Sequence, residues 1–291
     1  MRSLLFVPGH DSRKMDKALA SAADALVLDL EDAVPEADKA RARGLCADFL
    51  RAHAAQRPLF VRMNELGSSH WQADLQAVLP GRPRGIMVPK CEGPQDLQTV
   101  GAVLTDLERQ LGLPEGSTRL LPIVTETAAG VLRLPLFAQS SSPRLCAMLW
   151  GGEDLAADIG ASHNRDAAGG YTALYQLARS LTLLGATASR VGAIDAVYAN
   201  FRDTAGLQAE LAQAVRDGFV GKAAIHPDQI GPIHAAFTPT DDEVAAARRV
   251  VDAFEAASAT GVASLDGKMI VRPYYLAALR VLARVPAALQ P

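Results

Sequence analysis

Eight short, continuously apolar runs recur along the chain, each followed by a longer stretch rich in Ala and Leu. They cover 4–7, 25–30, 59–63, 86–89, 120–125, 145–150, 193–198 and 223–225. Apolar residues sit at consecutive rather than alternate positions, so each run reads as a strand covered on both faces. Helical stretches at 14–23, 36–53, 95–111, 171–184 and 207–217 lie between them. Eight strand–helix steps over about 230 residues are the arithmetic of a (β/α)8 TIM barrel. A doubly wound open sheet alternates in the same way, but the count of eight and the lack of a GxGxxG fingerprint favour the barrel. Beyond the eighth strand, 241–259 reads as an amphipathic helix with an acidic first turn, 261–268 as a turn and 274–284 as a last helix. No Pro-, Gly- and Ser-rich linker intervenes. The reading is a barrel over 1–238 and a helical extension over 239–291, which covers the barrel or reaches a neighbouring subunit.

With 49% hydrophobic residues the chain can build a large core, and its formal net charge of −3 gives no sign of nucleic-acid binding. An anionic ligand must therefore be met by a local basic patch or a metal. Cys46, Cys91 and Cys146 form neither a CxxC pair nor a zinc spacing, and a reduced, cytoplasmic setting is the simplest reading. The first apolar run ends at Pro8-Gly9, too soon for a signal peptide or a membrane span. Neither a G-x-S-x-G elbow nor a Walker loop occurs.

In a barrel of this kind the chemistry sits where strands end and loops begin. There the greasy runs give way to Asp29-Leu30-Glu31-Asp32, Arg62-Met63-Asn64, Pro89-Lys90, Thr125-Glu126-Thr127, Gly151-Gly152-Glu153-Asp154 and His226-Pro227. Glu126 and Asp154, on adjacent strands, are hard oxygen ligands suited to Mg²⁺. The alternative is that each caps the helix after it. Arg62 can fork onto a carboxylate or stabilise an oxyanion, or simply pair with Glu31 or Asp32; the two are compatible. Asp32 also reads as an N-cap of the next helix. Arg13, Lys14 and Lys17 can grip phosphates at a helix start or form a solvated face. His226 reads as a structural histidine or as an acid or base.

These strand ends, with Arg2-Ser3, Leu5-Phe6-Val7-Pro8-Gly9, Leu28 to Val34, Val88-Pro89-Lys90, Glu126 to Gly130 and Gly221-Lys222 through Gln229, resemble the citrate lyase β-subunit-like branch of the HpcH/HpaI aldolase superfamily. The resemblance runs in order from residue 2 to about 230. It implies a (β/α)8 barrel that assembles as a homo-oligomer, a trimer or hexamer, and acts on an acyl-CoA thioester. It implies Glu126 and Asp154 as Mg²⁺ ligands, with Arg62 and Glu126 on the substrate; Glu31 and Asp32, read from the strand end beside Arg62, are the expected catalytic partners. Gly152, Glu153 and Lys90 would complete the substrate site, and Arg13 and Lys17 would meet CoA. The reaction implied is carbon–carbon cleavage of a β-hydroxyacyl-CoA of the citramalyl-, malyl- or β-methylmalyl-CoA type, releasing pyruvate or glyoxylate.

One position departs from the pattern. The family commonly carries an Asp in a Gly-x-Met-Ile/Val-Asp-x-Pro stretch that is thought to reach a neighbouring active site; here Val271 stands in that place and cannot move a proton. Asp266, five residues earlier, is the nearest acid, and Asp32 is another group that can handle the proton. Three other readings stay open: a citryl-carrier lyase subunit, an aldolase on free hydroxy acids, and a non-catalytic binding protein that keeps the barrel.

Overall fold

The computed structural model describes residues 1–139, 142–167, 169–257 and 262–285. In chain order its elements begin β1 (Ser3–Pro8), α1 (Ser12–Leu19), β2 (Ala25–Asp29), α2 (Lys39–His53), β3 (Leu59–Arg62), α3 (Trp71–Val78), β4 (Gly85–Val88), α4 (Pro94–Gln110), β5 (Arg119–Pro122), α5 (Ala128–Arg133) and β6 (Ala147–Leu149). They continue with α6 (Glu153–Ile159), α7 (Ala173–Ala188), β7 (Gly192–Asp195), α8 (Thr204–Asp217), β8 (Gly221–Ala224), α9 (Ile230–Phe237), α10 (Asp241–Ala256), β9 (Val262–Leu265), β10 (Lys268–Val271) and α11 (Arg272–Leu282). The chain divides into two units, Met1–Ile233 and His234–Pro291.

The first unit is a (β/α)8 barrel. Its eight strands run in the order β5-β4-β3-β2-β1-β8-β7-β6, all pairs parallel. Parallel bridges Leu120↔Leu145 and Ile123↔Leu149 join the two end strands and close the ring. Inside lie Leu4, Val27, Phe60, Met87, Leu121, Leu149, Ile194 and Ala223. Their strand neighbours Leu5, Leu26, Leu28, Val61, Ile86, Leu120 and Met148 point the other way and are equally buried. Withdrawing each large aliphatic side chain from water contributes about 1.5–3 kcal/mol. This two-sided burial is why the runs do not alternate.

All eight expected strands are present, but three stop early. The runs 120–125 and 193–198 pass the ends of β5 and β7 by three residues, and 145–150 passes the end of β6 by one. Val124 and Trp150 remain fully buried there, so an apolar run reports burial, which outlasts the hydrogen-bond ladder at the barrel mouth. Short helices α3, α5 and α6 had no long periodic pattern to announce them. Side chains fix several helix starts: Asp11 accepts from Lys14 N at 3.1 Å, Thr127 from Gly130 N at 3.0 Å and Asp203 from Gly206 N at 2.9 Å.

In the second unit, α10 opens with a capping box between Thr240 and Glu243. The stretch expected to be a turn over 261–268 is a correction: β9 and β10 form an antiparallel hairpin, and only Asp266-Gly267 turns. Both have positive φ, 50° and 75°, the geometry that two-residue hairpin loops need. The expected end of the helix at 258–259 and the start of that stretch at 261 lie outside the described residues. No described helix is long and apolar enough to cross a membrane.

Candidate active site at the barrel mouth

A cavity of about 410 Å³ opens at the carboxyl ends of the strands. One wall carries Asp29, Asp32 and Arg62; the other carries Glu126 and the Gly151–Asp154 turn, with Phe6, Trp150 and Tyr171 supplying apolar surface. The parity of the strands explains the arrangement. Asp29 and Arg62 follow Val27 and Phe60 at two-residue spacing, so both point inward, and the β2–β3 register sets them side by side.

Arg62 is gripped from one side. Its Nε donates to Asp29 Oδ1 at 2.7 Å and its Nη2 to Asp29 Oδ2 at 2.6 Å. Both Asp29 oxygens also accept backbone N–H groups, from Glu31 at 2.9 Å and Ala33 at 3.1 Å. Although burial pushes the Asp29 carboxyl up, the Arg62 guanidinium and these N–H groups hold it below the usual range. The remaining Nη1 lies 2.9 Å from Glu31 Oε2 and 3.3 Å from Asp32 Oδ2. The guanidinium also stacks over Phe6, 5.2 Å from its centroid.

Lys90 links the two walls. Its φ of 47° is left-handed, uncommon for a residue with a side chain. In that conformation its backbone N donates to Glu126 Oε2 at 2.6 Å, while Nζ binds Glu31 Oε1 and lies 3.6 Å from Asp154 Oδ1. Gly151 makes room for Glu126, since a Cβ there would stand 2.8 Å from Glu126 Cγ. Glu126 is 4% exposed, and burial, then Asp154 and Glu31, push its carboxyl up to about 8. Burial likewise lifts Glu31 to about 7, against the pull of Arg62 and Lys90. Asp29, Glu31, Asp32, Glu126 and Asp154 thus outnumber the cations Arg62 and Lys90. That surplus of hard oxygen donors fits a divalent cation held by two carboxylates and completed by water or substrate. Among the described residues no group of three or more His, Cys, Asp or Glu is placed to hold a metal.

Residues 2–227 match the profile of the HpcH/HpaI aldolase/citrate lyase family. The chain belongs to this family. It is 36% identical to a (3S)-malyl-CoA thioesterase of Cereibacter sphaeroides, over 98% of this chain and 95% of the relative. It is 35% identical to the citrate lyase subunit beta of Escherichia coli, covering 97% and 92%. Among solved structures, CitE from Mycobacterium tuberculosis in complex with magnesium, acetoacetate and coenzyme A superposes with a TM-score of 0.77 at 33% identity, covering 97% of each chain.

Within this family barrel, the expected residues Arg62, Asp32, Glu126, Gly152, Glu153 and Asp154 share the cavity. Glu31 and Lys90 stand behind the wall, joined to it through Arg62, Glu126 and Asp154. Arg13 and Lys17 do not line the cavity; they lie exposed on α1. Asp32 does not cap a helix: the next full helix, α2, has no side-chain cap, and Asp29 caps the intervening loop. Glu126 leaves the capping of α5 to Thr127. His226 accepts from Asp228 N at 3.2 Å and stacks on Phe201. Asp266 pairs with Arg249 at 2.6 Å.

The sequence reading missed Trp150, whose Nε1 donates to buried Asp195 Oδ1 at 2.7 Å. It also missed Lys39, whose Nζ ties Leu30 O, Glu31 O and Asn64 Oδ1 together at 2.6–2.8 Å, holding the loop that carries Glu31 and Asp32. A lysine in a helix carries no local mark of burial. Trp150 offered one signal, an aromatic residue directly before a Gly-Gly turn at a strand end.

Proposed function

We propose that this family member is a Mg²⁺-dependent carbon–carbon lyase that cleaves a β-hydroxyacyl-CoA of the citramalyl-, malyl- or β-methylmalyl-CoA type into an acyl-CoA and a 2-oxo acid. One observation carries the reading: Arg62 and the pair Glu126 and Asp154 face one another across a single cavity with an excess of negative charge. Glu126 and Asp154 would hold the metal, which supplies Lewis-acid polarisation of the hydroxyl and carboxylate of the departing fragment. Arg62, already oriented by Asp29, directs Nη1 toward the cavity wall and stabilises charge that develops on the thioester oxygen, beside the N–H groups of the Gly152–Glu153 turn. Asp32, half exposed at the rim, takes the hydroxyl proton in place of the acid that Val271 lacks. Phe6, Trp150 and Tyr171 narrow the water-accessible volume around the breaking bond.

Thioester hydrolysis is the second reading, because relatives named (3S)-malyl-CoA thioesterase match over nearly the whole chain. One experiment separates the two. Purified protein is given citramalyl-, malyl- and β-methylmalyl-CoA, with Mg²⁺ or with EDTA. The proposal expects Mg²⁺-dependent pyruvate or glyoxylate with no free thiol. Free CoA thiol with an intact hydroxy acid supports the thioesterase. Full turnover in EDTA refutes the metal assignment. Activity only with added subunits and a carrier thioester would instead support a citrate lyase subunit, the name borne by other relatives.

A further inference from the structure

The opposite end of the barrel, where strands begin, is unlike the mouth. Residues there in a TIM barrel ordinarily serve stability. In this chain Arg84 precedes β4, Arg119 opens β5 and Arg190 precedes β7, and all three line one shallow bowl of about 640 Å³ with Ser117 and Cys146. A second hollow of about 610 Å³ shares Arg84 and Ser117 and adds Arg57 and Arg82. No carboxylate lines either one. Several arginines elsewhere in the unit are paired with carboxylates: Arg144 with Glu108 at 2.6 Å, Arg179 with Asp195 at 3.0 Å and Arg2 with Asp24 at 2.8 Å. Among the described residues, the Arg82, Arg84 and Arg190 side chains make no hydrogen bond or ion pair, and Arg119 donates only to Leu145 O at 3.1 Å. Burial raises the Cys146 thiol, while the Arg119 and Arg84 guanidiniums pull against it, so both charges lie near one sulfur. Arg82 and Arg190 also hold positive φ, 54° and 60°, which glycine would adopt without strain. A protein of net charge −3 thus gathers five guanidiniums at this end, two of them on positive-φ backbone; among the described residues none pairs with a carboxylate, and Arg57 and Arg119 donate only to backbone carbonyls.

We propose that this basic bowl is a binding site for an oligophosphate, separate from the mouth. Guanidinium forks match phosphate oxygens two at a time. Strands stand about 4.8 Å apart, so arginines at β4, β5 and β7 spread over about 10–15 Å, more than one phosphate group spans. A linked chain of two or three phosphates, free or carried by a nucleotide, fits that spread. The proposal is independent of the reaction assigned to the mouth.

Calorimetric titration of the full chain with sodium tripolyphosphate, orthophosphate and ATP, in low-salt buffer without divalent ions, tests it. Tripolyphosphate should bind saturably, at least tenfold more tightly than orthophosphate. Equal affinity for ATP would assign recognition to the phosphate chain alone, and at least tenfold tighter ATP binding to a nucleotide. In Arg84→Gln/Arg190→Gln, binding should weaken at least tenfold without a lower melting temperature, since like charges have been removed. If that double variant fails to fold, Arg190→Gln alone is held to the same tenfold loss. Absence of saturable binding overturns the proposal. So does undiminished binding in the bowl variants, or loss of binding in Arg13→Gln/Lys17→Gln, which would move the site to α1.

Discussion

Asp29→Asn is nearly isosteric, yet it should disable the site from beneath. Each Asp29 oxygen accepts two N–H groups, one from the backbone and one from Arg62. An amide can accept at one end only; the other end presents an NH₂ to two donors. One guanidinium bond and one backbone bond are lost; Arg62 keeps one bond to the amide oxygen, with Glu31 and Asp32 as its remaining charged partners. Breaking a buried ion pair costs about 3–5 kcal/mol, and the surviving partners favour the low end, about 3 kcal/mol. In a domain of this size that is about 6–12 °C in Tm. Held by one bond in place of two, Arg62 loses its aim, and kcat should fall about 10²-fold or more, the scale of losing one oxyanion donor. The pH dependence gives an internal check. The Asp29 carboxyl is depressed in the folded state, so its stabilisation is present above its unfolded value, near 3.9, and disappears as pH falls through the folded value. The Tm gap between wild type and Asp29→Asn should therefore be full at pH 7 and close below about pH 4. Urea and thermal melts across that range measure it; a gap under about 1 kcal/mol at pH 7 would refute the accounting, which sets about 3 kcal/mol on this pair.

Glu126→Gln should remove Mg²⁺ affinity and yet protect the metal-free protein. The Glu126 carboxyl is raised to about 8, so wild type without metal loses stability as pH climbs from about 5 through 8, and the variant does not. Melts at pH 5–9 with and without Mg²⁺ read this, and parallel curves would contradict it. Gly151→Ala puts a methyl 2.8 Å from Glu126 Cγ; Mg²⁺ affinity should drop about tenfold, within the range for disturbed ligand supports, with circular dichroism unchanged. Val271 is the N-cap of α11 and supplies no side-chain bond. Val271→Asp should cap it, adding about 0.5–2 kcal/mol in chemical denaturation, and should shift rate or substrate preference in the turnover assay.

Much of the barrel was legible because two-sided burial is a local pattern. A parallel strand between helices and a packed interior must be apolar at every position, and eight such runs leave few other architectures. The site residues were legible as a class for a related reason: a charged group directly after a greasy run stands at a strand end. What each charge touches was not legible. Asp29, Glu31 and Asp32 are three near-identical acids in four positions, and only the β2–β3 register decides that the first grips Arg62 while the last reaches the rim. Asp195 lies inside the run 193–198, and Lys222 directly precedes the run 223–225. They are paired strand neighbours, both fully buried and bonded at 2.8 Å, with Glu210 and Arg179 completing the cluster.

By itself, then, the order of residues determined eight doubly covered strands, their sequence around the ring and the end at which reactive groups collect, because those follow from periodicity and chain direction. The tertiary structure alone decided which acid meets which base, that Lys90 bends left-handed between the two walls, and that arginines without a carboxylate partner gather at the far end. Partners some 30 residues or more apart are chosen by strand register and by the cost of burying a charge unpaired, and neither quantity is written in any local stretch of chain.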